Sequence, residues 1–287
     1  MLPNGVTTIG RNAFAYCSNL TNIIIPEGVT SIEEDLFRGC SSLTSVTLPD
    51  GVATIGNNAF FDCVNLASIT IPKEVTTIGD GAFSGCRGLT SITIPDRVTT
   101  IGQEAFYYCK SLTSITIPDG VTSIGDGAFS GCSSLKSFTG KYASSDQRCL
   151  IVDDKLVAFI PLGLTEYTIP SNVTAIGNYA FSDCSSLTSI AIPDGVTTIG
   201  IHAFSHCSSL TDITIPGSVT TIGNYVFYSC DRLTRIYCQP TTPPLLGSET
   251  FAYFAFSFIY VPQASIEAYK SASGWSKYAD KIVGYDF

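Results

Sequence analysis

Cysteine recurs along this chain at a fixed interval. Cys17, Cys40, Cys63, Cys86, Cys109 and Cys132 are each 23 residues apart, and Cys184, Cys207 and Cys230 resume the same step. An internal period of about 20 to 50 residues marks a solenoid, a propeller or an array. One unit, read from Leu112, is L-T-S-I-T-I-P-D-G-V-T-S-I-G-D-G-A-F-S-G-C-S-S. Phenylalanine keeps the same step at Phe14, Phe37, Phe60, Phe83, Phe106 and Phe129, then at Phe181, Phe204 and Phe227. Strand segments open at Leu20, Leu43, Leu66, Leu89, Leu112, Leu135, Leu164, Leu187, Leu210 and Leu233, with a degenerate one at Phe256.

Each part of the unit has a physical reading. L-x-x-I-x-I is a short strand whose leucine and isoleucines face inward. Proline ends it, because it has no N–H to give to a ladder. Asp-Gly then turns the chain. V-T-x-I is a second extended piece, and glycine breaks it. Asn57, Asp80, Asp126, Asn178 and Asn224 stand next, where a side-chain oxygen can cap a brief helical turn holding A-F-x-x-C. A single unit cannot bury its apolar side, but stacked units can, in columns of Leu, Ile, Val, Phe and Cys.

One step is irregular: Leu135 to Leu164 is 29 residues. Within it, Cys149-Leu-Ile-Val and Leu156-Val-Ala-Phe-Ile flank Asp153-Asp154-Lys155, which predicts a β-hairpin projecting from or lying over the solenoid wall. The expected organisation is a solenoid over residues 1–262, with the atypical hairpin repeat at 141–163, and a C-terminal cap over 263–287. In that cap, residues 265–272 read as a short helix and residues 281–285 as a last strand. Met1-Leu2-Pro3 aligns with T-I-P of the unit. The chain is therefore expected to start inside a strand, to belong to something longer, and to self-associate through an open N-terminal end.

Composition removes several classes. Hydrophobic residues make up 45%, charged ones 14%, and mean hydropathy is +0.28, which excludes disorder. No run of 18 apolar residues is present, so no membrane insertion is expected. A net charge of −9 and a pI near 4.6 argue against nucleic acid. Eleven cysteines in 287 residues are too dilute for a small disulfide scaffold.

The repeat L-x-x-I-x-I-P-x-x-V-T-x-I-G-x-x-A-F-x-x-C resembles the BspA-like leucine-rich repeat, a bacterial variant also called the treponemal type, over about residues 1–238. The segment Arg148-Cys-Leu-Ile-Val and the tail Tyr260-Val-Pro, Ala268-Tyr-Lys and Trp275 are similar to members from gut and oral bacteria. The resemblance implies a mostly-β, right-handed horseshoe solenoid of the α/β class, with a parallel sheet on its concave side and short helical turns on its convex side. It also implies a surface or secreted protein that adheres to host matrix proteins or to other bacteria.

Candidate chemistry divides as follows. The in-register thiols could be disulfides, metal ligands or core. In parallel register they lie near 5 Å apart, whereas a disulfide needs Cβ atoms about 3.8 Å apart, so buried free thiol is the expectation. His202, His206 and Cys207 give H-x-x-x-H-C, but their equivalents elsewhere are Asn58, Gly81, Glu104 and Gly127, and Asp62, Gly85, Tyr108 and Gly131. That marks variable positions of a turn rather than a zinc site. Glu27, Asp50, Asp96, Asp119 and Asp194 follow proline with about one acid per turn, which is turn chemistry more than a calcium loop.

The concave face should show Ser91, Thr93, Ser114 and Thr116 within a Ser/Thr ladder, interrupted by Glu166 and changing at Asp212, Arg235 and Tyr237. Arg235 and Tyr237 are the favoured contact residues, since Arg and Tyr are enriched in hot spots. The hairpin tip offers Asp153 and Asp154. Tyr16, Phe61, Tyr107, Tyr108 and Tyr228 occupy variable convex sites, with at least one of Tyr107 and Tyr108 exposed, and Tyr253, Phe254 and Phe256 are candidates for an apolar patch near the end. No Ser-His-Asp set, phosphate loop or carboxylate pair stands out, and no cofactor or metal is implied. A non-catalytic module that binds a protein or glycan partner is expected. The alternative is a spacer presenting another domain.

Overall fold

The computed structural model describes residues 2–251 and 258–287, in two compact units, 1–152 and 153–287. Each unit is a parallel β solenoid. Most repeats contribute two short strands that pair with their counterparts one repeat on, in two series that we call the first and second ladder; the first is broken into shorter sheets.

In the first unit the L-x-x-I-x-I strands pair Asn22–Ile24 with Ser45–Thr47 and Ile115–Ile117 with Phe138–Gly140, with a parallel bridge from Ser68 to Ser91. Its second ladder runs through Ser31–Ile32, Thr54–Ile55, Thr77–Ile78, Thr100–Ile101 and Ser123–Ile124. In the second unit the first ladder holds Glu166–Thr168 with Ser189–Ala191, and then Asp212–Ile215, Arg235–Cys238, Phe258–Pro262 and Ile282–Tyr285. The last of these is the strand expected at 281–285. Its second ladder joins Lys155–Phe159 to Ala175–Ile176, Thr198–Ile199, Thr221–Ile222 and Leu245–Leu246.

The atypical repeat thus supplies a ladder strand. Lys155 and Leu156 pair with Ala175 and Ile176, so this half of the expected hairpin is part of the wall rather than a projection from it. Before it, Asp153 and Asp154 both take positive φ, 48° and 59°, the geometry of a type I′ turn.

The cores are the expected columns. Leu112, Ile115, Ile117, Val121, Ala128, Phe129 and Cys132 are buried, as are most of their equivalents along the units. Phe14, Phe37, Phe60, Phe83, Phe106 and Phe129 stack with centroids 5.3–5.5 Å apart and nearly parallel planes. In the second unit the column runs Phe181, Phe204, Phe227 and on to Phe251. Phe251 was outside the expected column because an extra residue makes its step 24. Beyond it, buried Trp275 packs at 5.8 Å and donates Nε1–H to the Pro244 carbonyl at 2.7 Å. Helix Ile266–Ser271 follows the short helix expected there, and its buried Tyr269 packs on Trp275.

The A-F-x-x-C segments are not helical. They are runs of turns whose N–H groups alternate between two kinds of partner. Phe61 N bonds locally to Asn58 O and Cys63 N to Phe60 O, while Phe60 N and Asp62 N bond across to Ala82 O and Ser84 O of the next repeat. A left-handed residue, at Asn58 and again at Asp62, interrupts each run before a helix can propagate. The same two positions are left-handed in every regular repeat from Asn12 and Tyr16 to Tyr225 and Ser229. That conformation explains why Gly, Asn and Asp recur there.

The expected caps also work differently. The side-chain oxygens of Asn57, Asp80, Asn178 and Asn224 accept N–H bonds from Asp80, Gln103, Ile201 and Ser248, one repeat onward, at 2.6–2.9 Å. They join repeats rather than cap a helix.

The column thiols are free and donate to carbonyls: Cys63 Sγ–H to Phe37 O, Cys86 to Phe60 O and Cys109 to Phe83 O, at 3.1–3.2 Å. Cys149, whose place the sequence left open, is buried, and so is Cys238. Cys17, expected in the core, is exposed. Tyr107 and Tyr108 are both half-buried, packed edge to face at 4.3 Å, so neither is the exposed residue expected. Tyr253, Phe254 and Phe256 lie outside the described residues.

Candidate functional site

Strand alternation sends every second residue of the first ladder to solvent. In the first unit those positions are Ser91, Thr93, Ser114 and Thr116, all exposed. Thr116 and Thr139 share a hydroxyl hydrogen bond of 2.8 Å. The result is a low, uncharged hydroxyl surface.

The second unit departs from it. Asp212, Arg235 and Phe258 are in register on three neighbouring strands, and Thr214, Tyr237 and Tyr260 form the next row. Arg235 Nη2 donates to Asp212 Oδ2 at 3.3 Å. Tyr237 stacks on Tyr260 at 4.8 Å with planes 14° apart. Tyr285 lies edge-on to both, at 5.4 and 5.6 Å, and Phe287 packs edge-on to Tyr285 at 5.0 Å. Phe258 is 44% exposed, Tyr285 42% and Phe287 51%. These are three of the eight exposed large apolar side chains among the described residues, gathered in one place.

The structure therefore brings Asp212, Arg235 and Tyr237 together. Glu166 is exposed on a separate strand pair opposite Ser189, and Ser91, Thr93, Ser114 and Thr116 belong to the other unit. Asp153 and Asp154 are exposed at their turn, where the Asp154 carbonyl accepts Thr174 N–H at 2.9 Å. The sequence reading missed Phe258, Tyr260, Tyr285 and Phe287. The signal was available for two of them: Phe258 and Tyr260 stand one 23-residue step after Arg235 and Tyr237.

A second cluster lies on the turn side of this unit. His202 is sandwiched between Tyr179 and Tyr225, each 5.0 Å away and nearly parallel. Tyr228 meets His206 edge-on at 5.3 Å. Burial, and then the nearby His206, hold the His202 imidazole below its ordinary pKa. Among the described residues no group of three or more His, Cys, Asp and Glu side chains is placed to hold a metal ion. No helix among them is long and apolar enough to cross a membrane.

The family model for the BspA type leucine rich repeat region matches residues 7–136 and 157–273 in six copies. The chain belongs to that family. The BspA-type repeat accounts for the two ladders and the turn segments described above. The matched regions leave out 137–156, which covers the greater part of the atypical repeat at 141–163.

Solved structures agree. A leucine-rich repeat protein from Eubacterium ventriosum is 27% identical, with a TM-score of 0.71 over 94% of this chain and 73% of that one. A leucine rich cell surface protein from Faecalibacterium prausnitzii is 26% identical, with a TM-score of 0.57 over 97% and 82%. The pneumococcal vaccine antigen PcpA, at 21% identity, shares the fold with a TM-score of 0.69 over 93% and 80%. No curated protein matches the chain.

Proposed function

We propose that this chain is a non-catalytic binding or adhesion module of a bacterial cell-surface or secreted protein. Its contact centre is the first-ladder surface around Arg235 and Tyr237. The observation that carries the reading is the difference in character between the first-ladder surfaces of the two units. Where the first unit carries mostly small hydroxyl side chains, the second carries five aromatic rings and an ion pair, at solvent-facing positions where packing asks for nothing so large. Exposed Tyr, Phe and Arg gathered over ordered strands are the composition of a contact hot spot. The surface location is supported by the likeness to the leucine rich cell surface protein from Faecalibacterium prausnitzii.

The partners that fit are host matrix components or the surface components of other bacteria. The test is plate binding of the chain to panels of both. Arg235→Ala and Tyr237→Ala are expected to weaken a genuine interaction by about tenfold or more each, which is about 1.4 kcal/mol, while Ser91→Ala leaves it unchanged. Equal binding by all three variants would remove this surface from the function. A spacer role is the second reading, favoured by the mostly hydroxyl surface of the first unit, which changes at Asn22 and Ile24.

A further inference from the structure

We infer that the aromatic cluster around Tyr237 and Tyr260 takes a neutral glycan, a short run of linked pyranose rings, rather than a protein surface. The inference rests on the binding-module reading above and names its ligand class.

Size is the first argument. The cluster spans strands Arg235–Cys238, Phe258–Pro262 and Ile282–Tyr285. Two steps of ~4.8 Å make it about 10 Å wide, and two outward rows make it roughly 7 Å deep. That footprint is on the order of 100 Å² by the same spacings, whereas a specific protein interface covers about 800 Å² per partner. Among the described residues, the neighbouring solvent-facing strand positions return to Thr214, Thr168, Ser189 and Glu166, without further aromatic or aliphatic anchors. The cluster matches the scale of about two or three sugar rings.

Charge is the second argument. Asp212 and Arg235 neutralise each other, yet both side chains stay about half exposed. The ion pair beside the rings therefore offers no net charge to an ionic ligand. It does have fixed acceptors and donors side by side, as vicinal hydroxyls require. Chemistry is the third argument. Half-exposed rings of Phe258, Tyr285 and Phe287 offer apolar area to the C–H face of a pyranose, while the phenol hydroxyls of Tyr237 and Tyr260 supply polar contacts.

Native affinity electrophoresis of the full chain tests this, through gels that each hold one neutral polysaccharide: a β-glucan, an α-glucan or a mannan. At least one is expected to retard the chain, equally at about 50 and about 500 mM salt, because no charge is involved. Tyr260→Ala and Phe258→Ser should weaken that retardation by about tenfold or more. Tyr260→Phe, which keeps the ring and the fold, should preserve most of it, and Tyr225→Ala on the turn side should leave it intact. No retardation in any of the three gels, or retardation abolished by salt, overturns the inference. If the matrix and surface panels bind through Tyr237 while no glycan does, the glycan falls and the binding module stands. If neither binds, both fall.

Discussion

At the scale of the residue, the left-handed turn positions show what the repeat tolerates. Glycine, Asn and Asp suit that conformation, and bulky side chains there cost on the order of 1 kcal/mol or more. Three successive repeats nevertheless place Tyr179, His202 and Tyr225 there, and the rings stack. The stack offsets part of the backbone strain, since aromatic pairs contribute about 0.5–1.5 kcal/mol. His202 gives this a pH dependence. Burial, and then His206, lower its pKa below the ordinary 6.5, so the unfolded chain takes up the proton first. The stability it contributes is then present above about pH 6.5 and is lost as pH falls toward the lower native pKa. Thermal melts from pH 7.5 to 5 should fall less steeply for His202→Asn than for the parent chain. Identical slopes would mean that the imidazole titrates as it does in the unfolded state.

At the scale of the element, the glycine after V-T-x-I illustrates which part of the fold was legible. The sequence reading takes that glycine as a strand breaker. Its structural reason is the packing of one repeat on the previous one: a Cβ at Gly102 would sit 2.5 Å from Asp80 N and 2.6 Å from Asp80 Oδ1. At Gly10 an added Cβ meets nothing within 4 Å. Gly102→Ala should therefore cost about 1–3 kcal/mol in denaturant unfolding, and Gly10→Ala close to nothing. Equal effects would mean that the glycine matters for chain freedom rather than for close approach. The ladders and the Phe and Cys columns were readable because a 23-residue step transmits directly into parallel register. What was not readable was anything that needs two repeats at once. Asp80 looks the same in sequence whether it caps its own turn or accepts Gln103 N–H from the next repeat. Likewise the aromatic cluster became visible only once the strand at Ile282–Tyr285 carried Tyr285 back over Tyr237 and Tyr260.

At the scale of the whole molecule, the thiol columns couple every repeat to solution chemistry. Most of the column thiols hydrogen-bond to a Phe carbonyl, as Cys63, Cys86 and Cys109 do, in surroundings that penalise a charge. Burial pushes Cys40 up to about 11 and Cys132 and Cys238 up to about 12, and it raises Cys63, Cys86 and Cys109 as well. Thiolate is the reactive form, so these groups are inert while folded. A thiol whose folded pKa lies above its unfolded value stabilises the fold fully below the unfolded value. That stability is lost as pH rises from the ordinary 9.0 toward the raised one, and the losses add along the columns. Two results are expected. With a thiol reagent at pH 8, native protein should show rapid labelling at Cys17, the exposed member, and slow labelling elsewhere, whereas non-reduced denatured protein should react at nearly all eleven cysteines. Melting temperature should fall progressively above about pH 9, and more steeply than in a variant carrying Cys63→Ala and Cys86→Ala, once the smaller cores of that variant are allowed for at pH 7. Three or more disulfides in the denatured count, or an alkaline limb no steeper than that of the double variant, would show that the columns are not the buried, protonated thiols on which the repeat packing depends.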